Sequence, residues 1–178
     1  MFGFGKISKR ELSNRIWKLA VDASEQFLGY LKEDAFLYGK CINQNPIKIT
    51  TAIFMVNIYR DMLNSKYDSN DVFTVIRATV MTLAPNKAAD DMFMGALIEY
   101  MKQCNQTVEY YRQFPNFNIA DVLTKVYFSL IIDDRDYLQT EMDYSISRSV
   151  SYRKIYNHID GVLKHRTLLN DKYNLRLK

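Results

Sequence analysis

Ala52-Ile53-Phe54-Met55-Val56-Asn57-Ile58-Tyr59 decides the fold. Wound as an α-helix at about 100° per residue, its apolar side chains point in every direction, and a helix that is apolar all round is buried on most sides. The stretch is also the longest apolar run in the chain, and it falls far short of the roughly 20 residues that cross a bilayer. It therefore reads as the core helix of a soluble protein. Asn45-Pro46, a cap residue followed by an N1 proline, marks its start. The β-branched run Ile47-Lys48-Ile49-Thr50-Thr51 leaves a short extended lead-in as the alternative.

Downstream, Ser69-Asn70-Asp71 caps a second helix whose Val72, Phe73, Val75, Ile76, Val80, Met81 and Leu83 are again apolar nearly all round. Two such helices in succession predict a central hairpin over Ile47–Ala84, wrapped by the others. Upstream, Ser8-Lys9-Arg10-Glu11 has capping-box spacing. The helix it opens carries one stripe: Leu12, Ile16, Leu19, Ala20, Ala23, Phe27 and Tyr30. Asp34 would fall on that stripe, so the helix ends near Leu31–Lys32 and a second piece follows from Ala35 to about Ile42.

Beyond Ala84-Pro85, Asn86 caps a long amphipathic helix with Ala89, Phe93, Ala96, Leu97, Tyr100, Cys104, Val108 and Tyr111 on its seam. Phe114-Pro115-Asn116-Phe117-Asn118 is a loop whose last residue caps a helix through Ile119, Val122, Leu123, Val126 and Leu130. Asp133-Asp134-Arg135-Asp136 is a turn or helix start. Serines 145, 147, 149 and 151 alternate, a strand signal with nothing to pair with, so the segment reads as a close-packed Ser-rich helix or a helix break. Ile155, Tyr156, Ile159, Val162 and Leu163 form the last stripe. The expectation is an all-α, single-domain bundle of six to seven helices over 1–178, with 1–7 and 170–178 as flexible tails.

Apolar residues make up 48% of the chain and charged ones 25%, which excludes a disordered composition. No secretory h-region precedes the first helix. Cys41 and Cys104 lack CxxC spacing and sit in helical patterns, so they read as buried free thiols of a cytoplasmic protein. The richness in Lys, Asn, Ile and Tyr associates with AT-rich microbial or viral genomes.

The net charge of +4 conceals a segregation: residues 1–18 carry +4 and residues 148–178 carry +6, which leaves −6 on the middle. Either the basic ends lie against the acidic middle, or they form a patch for an anionic partner. The patch would centre on the last helix, where Arg153, Asn157 and Lys164 face away from the apolar stripe, flanked by Lys154 and His165. Tyr110-Tyr111, Tyr137, Tyr144, Tyr152 and Tyr156 suggest a protein-binding surface, since tyrosine is enriched at interfaces.

Other chemistry finds little support. His158 and His165 lack acidic or thiol partners at ligand spacing and read as surface histidines, so no metal is expected. Asp90-Asp91 and Asp133-Asp134-Arg135-Asp136 sit in first helical turns, where the dipole already favours them. Neither has the repeated Glu/Asp spacing used by all-helical nucleotide pyrophosphatases. No nucleophile elbow, Walker A loop or dinucleotide fingerprint is present. The expected function is a non-enzymatic, cofactor-free interaction or regulatory protein whose partner is another protein or a second copy of itself. Nucleic-acid binding through the basic ends is the first alternative. Peripheral membrane attachment through Phe2, Phe4, Lys6, Lys9 and Arg10 is the second, disfavoured because two phenylalanines bury little area.

Overall fold

Ser8 opens α1 (Lys9–Lys32) by accepting the Glu11 backbone N–H on its Oγ at 3.1 Å. Glu11 spends its own carboxylate on Arg15, one turn on, at 2.9 Å. An i,i+4 ion pair thus stands where the reciprocal half of a capping box would be. Asp34 caps the short α2 (Ala35–Gly39) through the Leu37 N–H at 3.0 Å. The expected extension to Ile42 gives way to a tertiary contact. Ile42 N–H donates to the Ile131 carbonyl at 2.8 Å and Asp133 N–H to the Lys40 carbonyl at 3.0 Å, an isolated antiparallel bridge centred on Cys41 and Ile132.

This computed structural model describes residues 6–64, 67–134, 146–164 and 176–177. Among the described residues the chain is an all-α bundle of seven α-helices. α3 (Gln44–Asn64) starts a residue or two ahead of Asn45-Pro46, which leaves Pro46 in the first turn, where a missing N–H costs nothing. The β-branched run is helical, with Ile47, Thr50 and Thr51 buried, and the extended lead-in does not form. α4 (Ser69–Leu83) is capped by Asp68, one residue before the expected cap cluster, through the Asn70 N–H at 2.8 Å. α5 (Lys87–Arg112) and α6 (Ile119–Ile131) begin at the expected caps, Asn86 and Asn118.

The serine run proves to be both a break and a close contact. A 3-10 turn, Ile146–Arg148, precedes α7 (Val150–Lys164). Ser149 Oγ accepts the Tyr152 N–H at 3.0 Å. Ser151, fully buried, donates to the Tyr30 carbonyl at 2.7 Å and seats α7 against α1. The two ends, expected as tails, meet instead: β1 (Lys6–Ile7) and β2 (Arg176–Leu177) pair in parallel, and Ile7 is buried. The rest of both expected tails lies outside the described residues.

The most extensive packing is α1 against α3, followed by α1 against α4. α3 is the sealed centre, with Phe54, Met55 and Val56 at 0% exposure. Tyr127 of α6 joins it through its ring, 5.3 Å from Phe54 and 5.2 Å edge-on to Phe27. Its hydroxyl shares a hydrogen bond with Thr51 at 2.7 Å, so the buried phenol is satisfied. α4 departs from the all-round burial expected of it. Val72, Val75, Ile76 and Val80 face the core, but Phe73 and Met81 are 63% and 56% exposed. Its neighbours cover only one side, with Thr79 meeting Ser13 of α1 at 3.1 Å and Arg77 bonded to the buried Asp90 of α5 at 2.7 Å.

Candidate functional site

The basic face of α7 is built as expected but largely matched within the chain. Arg153, Asn157 and Lys164 are exposed, opposite the buried Ile155, Ile159 and Val162. Lys154 bonds Glu33 at the end of α1 and lies 5.4 Å over the Tyr30 ring. Lys164 pairs with Asp160 at 2.7 Å, a contact that raises its pKa although the side chain is exposed. At the other end Lys9 pairs with Asp71 of α4. Lys154–Glu33 and Lys9–Asp71 join the basic ends to the acidic middle, as in the first reading of the charge segregation, whereas Asp160 belongs to the same basic segment as Lys164.

His158 is half-buried rather than on the surface. Its ring stands edge-on to Phe27 at 5.0 Å, and burial lowers its pKa. His165 lies outside the described residues. Of the acidic clusters, Asp90 pairs with Arg77 and Asp134 with Lys40, the latter at 2.7 Å, while Arg135 and Asp136 lie outside the described residues. Among the described residues no group of three or more His, Cys, Asp or Glu side chains converges to hold a metal. Both thiols are free; Cys104 is buried as expected, whereas Cys41 is only partly so, and burial pushes each up to about 12, with Asp34 adding to the effect at Cys41 and Asp61 at Cys104. Thiols held there stay protonated and unreactive at neutral pH.

The tyrosines separate in the same way. Tyr152 is buried, its hydroxyl bonded to Asp121 at 2.6 Å, and Tyr156 accepts from Asn118 at 3.1 Å. Tyr137 and Tyr144 lie outside the described residues. Tyr110 and Tyr111 form the surface feature that remains. They end α5, and the chain turns back at once: Phe114 N–H donates to the Tyr111 carbonyl at 3.0 Å, and Phe117 N–H to the Phe114 carbonyl at 3.2 Å.

That turn places Phe114 5.5 Å from Tyr110 and 6.0 Å from Tyr111, while the two tyrosines stand edge to face at 5.2 Å. Tyr110 is 58% exposed and Phe114 45%. Ile119, at the start of α6, is also exposed, and Lys125 lies 5.5 Å over Tyr111. A Glu109–Arg112 pair at 3.1 Å lies at the rim. The tyrosines were readable as an interface signal, but Phe114 was assigned only to a loop. Its spacing from Tyr110, four residues on, is the signal that could have found it.

No protein-family model matches this sequence, and neither a curated protein nor a solved structure matches it.

Proposed function

We propose that this chain is a non-enzymatic interaction or regulatory protein that engages a partner protein through the aromatic corner formed by Tyr110, Tyr111 and Phe114. The observation that carries the reading is two exposed rings, Tyr110 and Phe114, packed against each other and against the partly buried Tyr111 at the junction of two helices. Rings held against one another lose little freedom on binding, and large rigid aromatics supply contact area at low entropic cost. A charged rim around an aromatic centre is the usual anatomy of a protein interface. Nucleic-acid binding ranks below it, because a polyanion on α7 would compete with Glu33 for Lys154 and with Asp160 for Lys164.

The test is comparative capture from the native host, using wild type and a Tyr110→Ser/Phe114→Ser variant. We expect a protein retained by wild type and lost by the variant, with thermal unfolding unchanged. A second copy of the chain counts as such a protein, and sedimentation would show it. Identical captured sets would overturn the proposal. So would a nuclease-sensitive capture abolished by Arg153→Gln and Lys164→Gln.

A further inference from the structure

Residues of α4, α5 and the end of α3 line a cleft of about 270 Å³. Phe73 and Ile76 line it from α4, and Met94, Leu97, Ile98 and Met101 from α5. One charge enters this apolar space, Arg60. Its guanidinium is mostly buried and short of acceptors. Nη2 donates to Asp61, itself about half-exposed, Nη1 lies against the thioether of Met101, and Nε has no partner. A guanidinium offers five N–H donors in a planar fork that matches a carboxylate, whereas a thioether sulfur is a weak acceptor. A buried donor left unmatched costs free energy that a better acceptor would recover.

We propose that this cleft binds a small amphipathic monocarboxylate, with an apolar chain lying between α4 and α5 and its carboxylate taking the place of Met101 on Arg60. Both halves of the ligand follow from the lining. The walls offer hydrocarbon contact along α4 and α5, and the single cation lies at the α3 end. A cationic head group would meet Arg60 unfavourably, and a neutral chain would leave its donors unmatched. The site is smaller than most drug-sized pockets, which suits a single unbranched chain. It lies apart from the aromatic corner and stands independently of the protein-binding role.

The probes are decanoate and two chain-matched controls, decanol and decyltrimethylammonium. Each is titrated below its micellar concentration into the full chain and followed by backbone amide NMR shifts. Decanoate is expected to bind roughly tenfold tighter than decanol, the ratio that one charge-assisted hydrogen bond supplies. Its largest shifts should fall on residues 60–64, 72–76 and 94–101. Arg60→Met should erase the preference for decanoate. Asp61→Asn, an exposed change that does not threaten folding, should tighten decanoate by removing the competing carboxylate. Equal affinity for decanoate and decanol would overturn the proposal, as would no binding of either by about 1 mM. So would shifts centred elsewhere, or decanoate binding unaffected by Asp61→Asn. If Arg60→Met fails to fold, the wild-type comparison and Asp61→Asn still decide.

Discussion

α3 and α4 are near twins in sequence pattern and opposites in the structure. Both are apolar on nearly every side. α3 is enclosed by α1, α4, α5 and α6, and Phe54 is fully buried. α4 meets α1, α3 and α5 on one side only, and Phe73 stands 63% exposed. Apolar content on a helix states how much it can bury, not how much its neighbours will cover. The surplus on α4, together with exposed Met92 and Ile98 on α5, is apolar surface the bundle itself does not use, and the cleft opens within it.

The sharpest way to break this comparison is a matched pair of truncations. Phe54→Ala should cost about 3–5 kcal/mol, the range for emptying a sealed aromatic site. Phe73→Ala should cost less than about 1 kcal/mol. Denaturant midpoints measure both, and equal losses would mean that α4 is as enclosed as α3. A smaller effect should follow from Arg77→Met, which leaves the 6%-exposed Asp90 without its partner between α4 and α5. About 1–2 kcal/mol is expected, since Arg77 itself is partly in water and screened.

The smallest effect concerns α7. Burial lowers the His158 pKa in the folded state, so the unfolded chain binds the proton more readily. Stability from this group is therefore full above the ordinary histidine range, near 6.5, and declines as pH falls through and below it. His158→Gln should flatten the dependence of the unfolding midpoint between about pH 7.5 and 5. An unchanged slope would place the imidazole in water.

Local features were legible in the chain, and features set by distant neighbours were not. The caps at Ser8, Asn86 and Asn118 and the stripe ending before Asp34 follow from residues a few positions apart, and each stands where the spacing put it. The open side of α4 depends on which helices happen to cover it. The pairing of Lys6–Ile7 with Arg176–Leu177 joins opposite ends of the chain through two-residue strands, too short to leave a periodic trace. At the candidate site, Tyr110 and Tyr111 were visible as residues, but only the fold separates them from Tyr152, which Asp121 holds inside. Arg60 went unnoticed because it follows an apolar run as an ordinary charge. Its burial beside the cleft depends on α4 and α5, which lie far from it in sequence.

Mild peroxide oxidation, followed methionine by methionine in the peptide digest, tests the contrast between sealed and open helices most directly. Thioether oxidation follows solvent access, and the chain places Met55 at 0% exposure on α3, Met81 at 56% on α4 and Met92 at 61% on α5. Met81 and Met92 should convert first in the native protein, with Met55 protected until the chain unfolds. Oxidation of Met55 at the same rate as Met81 under native conditions would contradict the account.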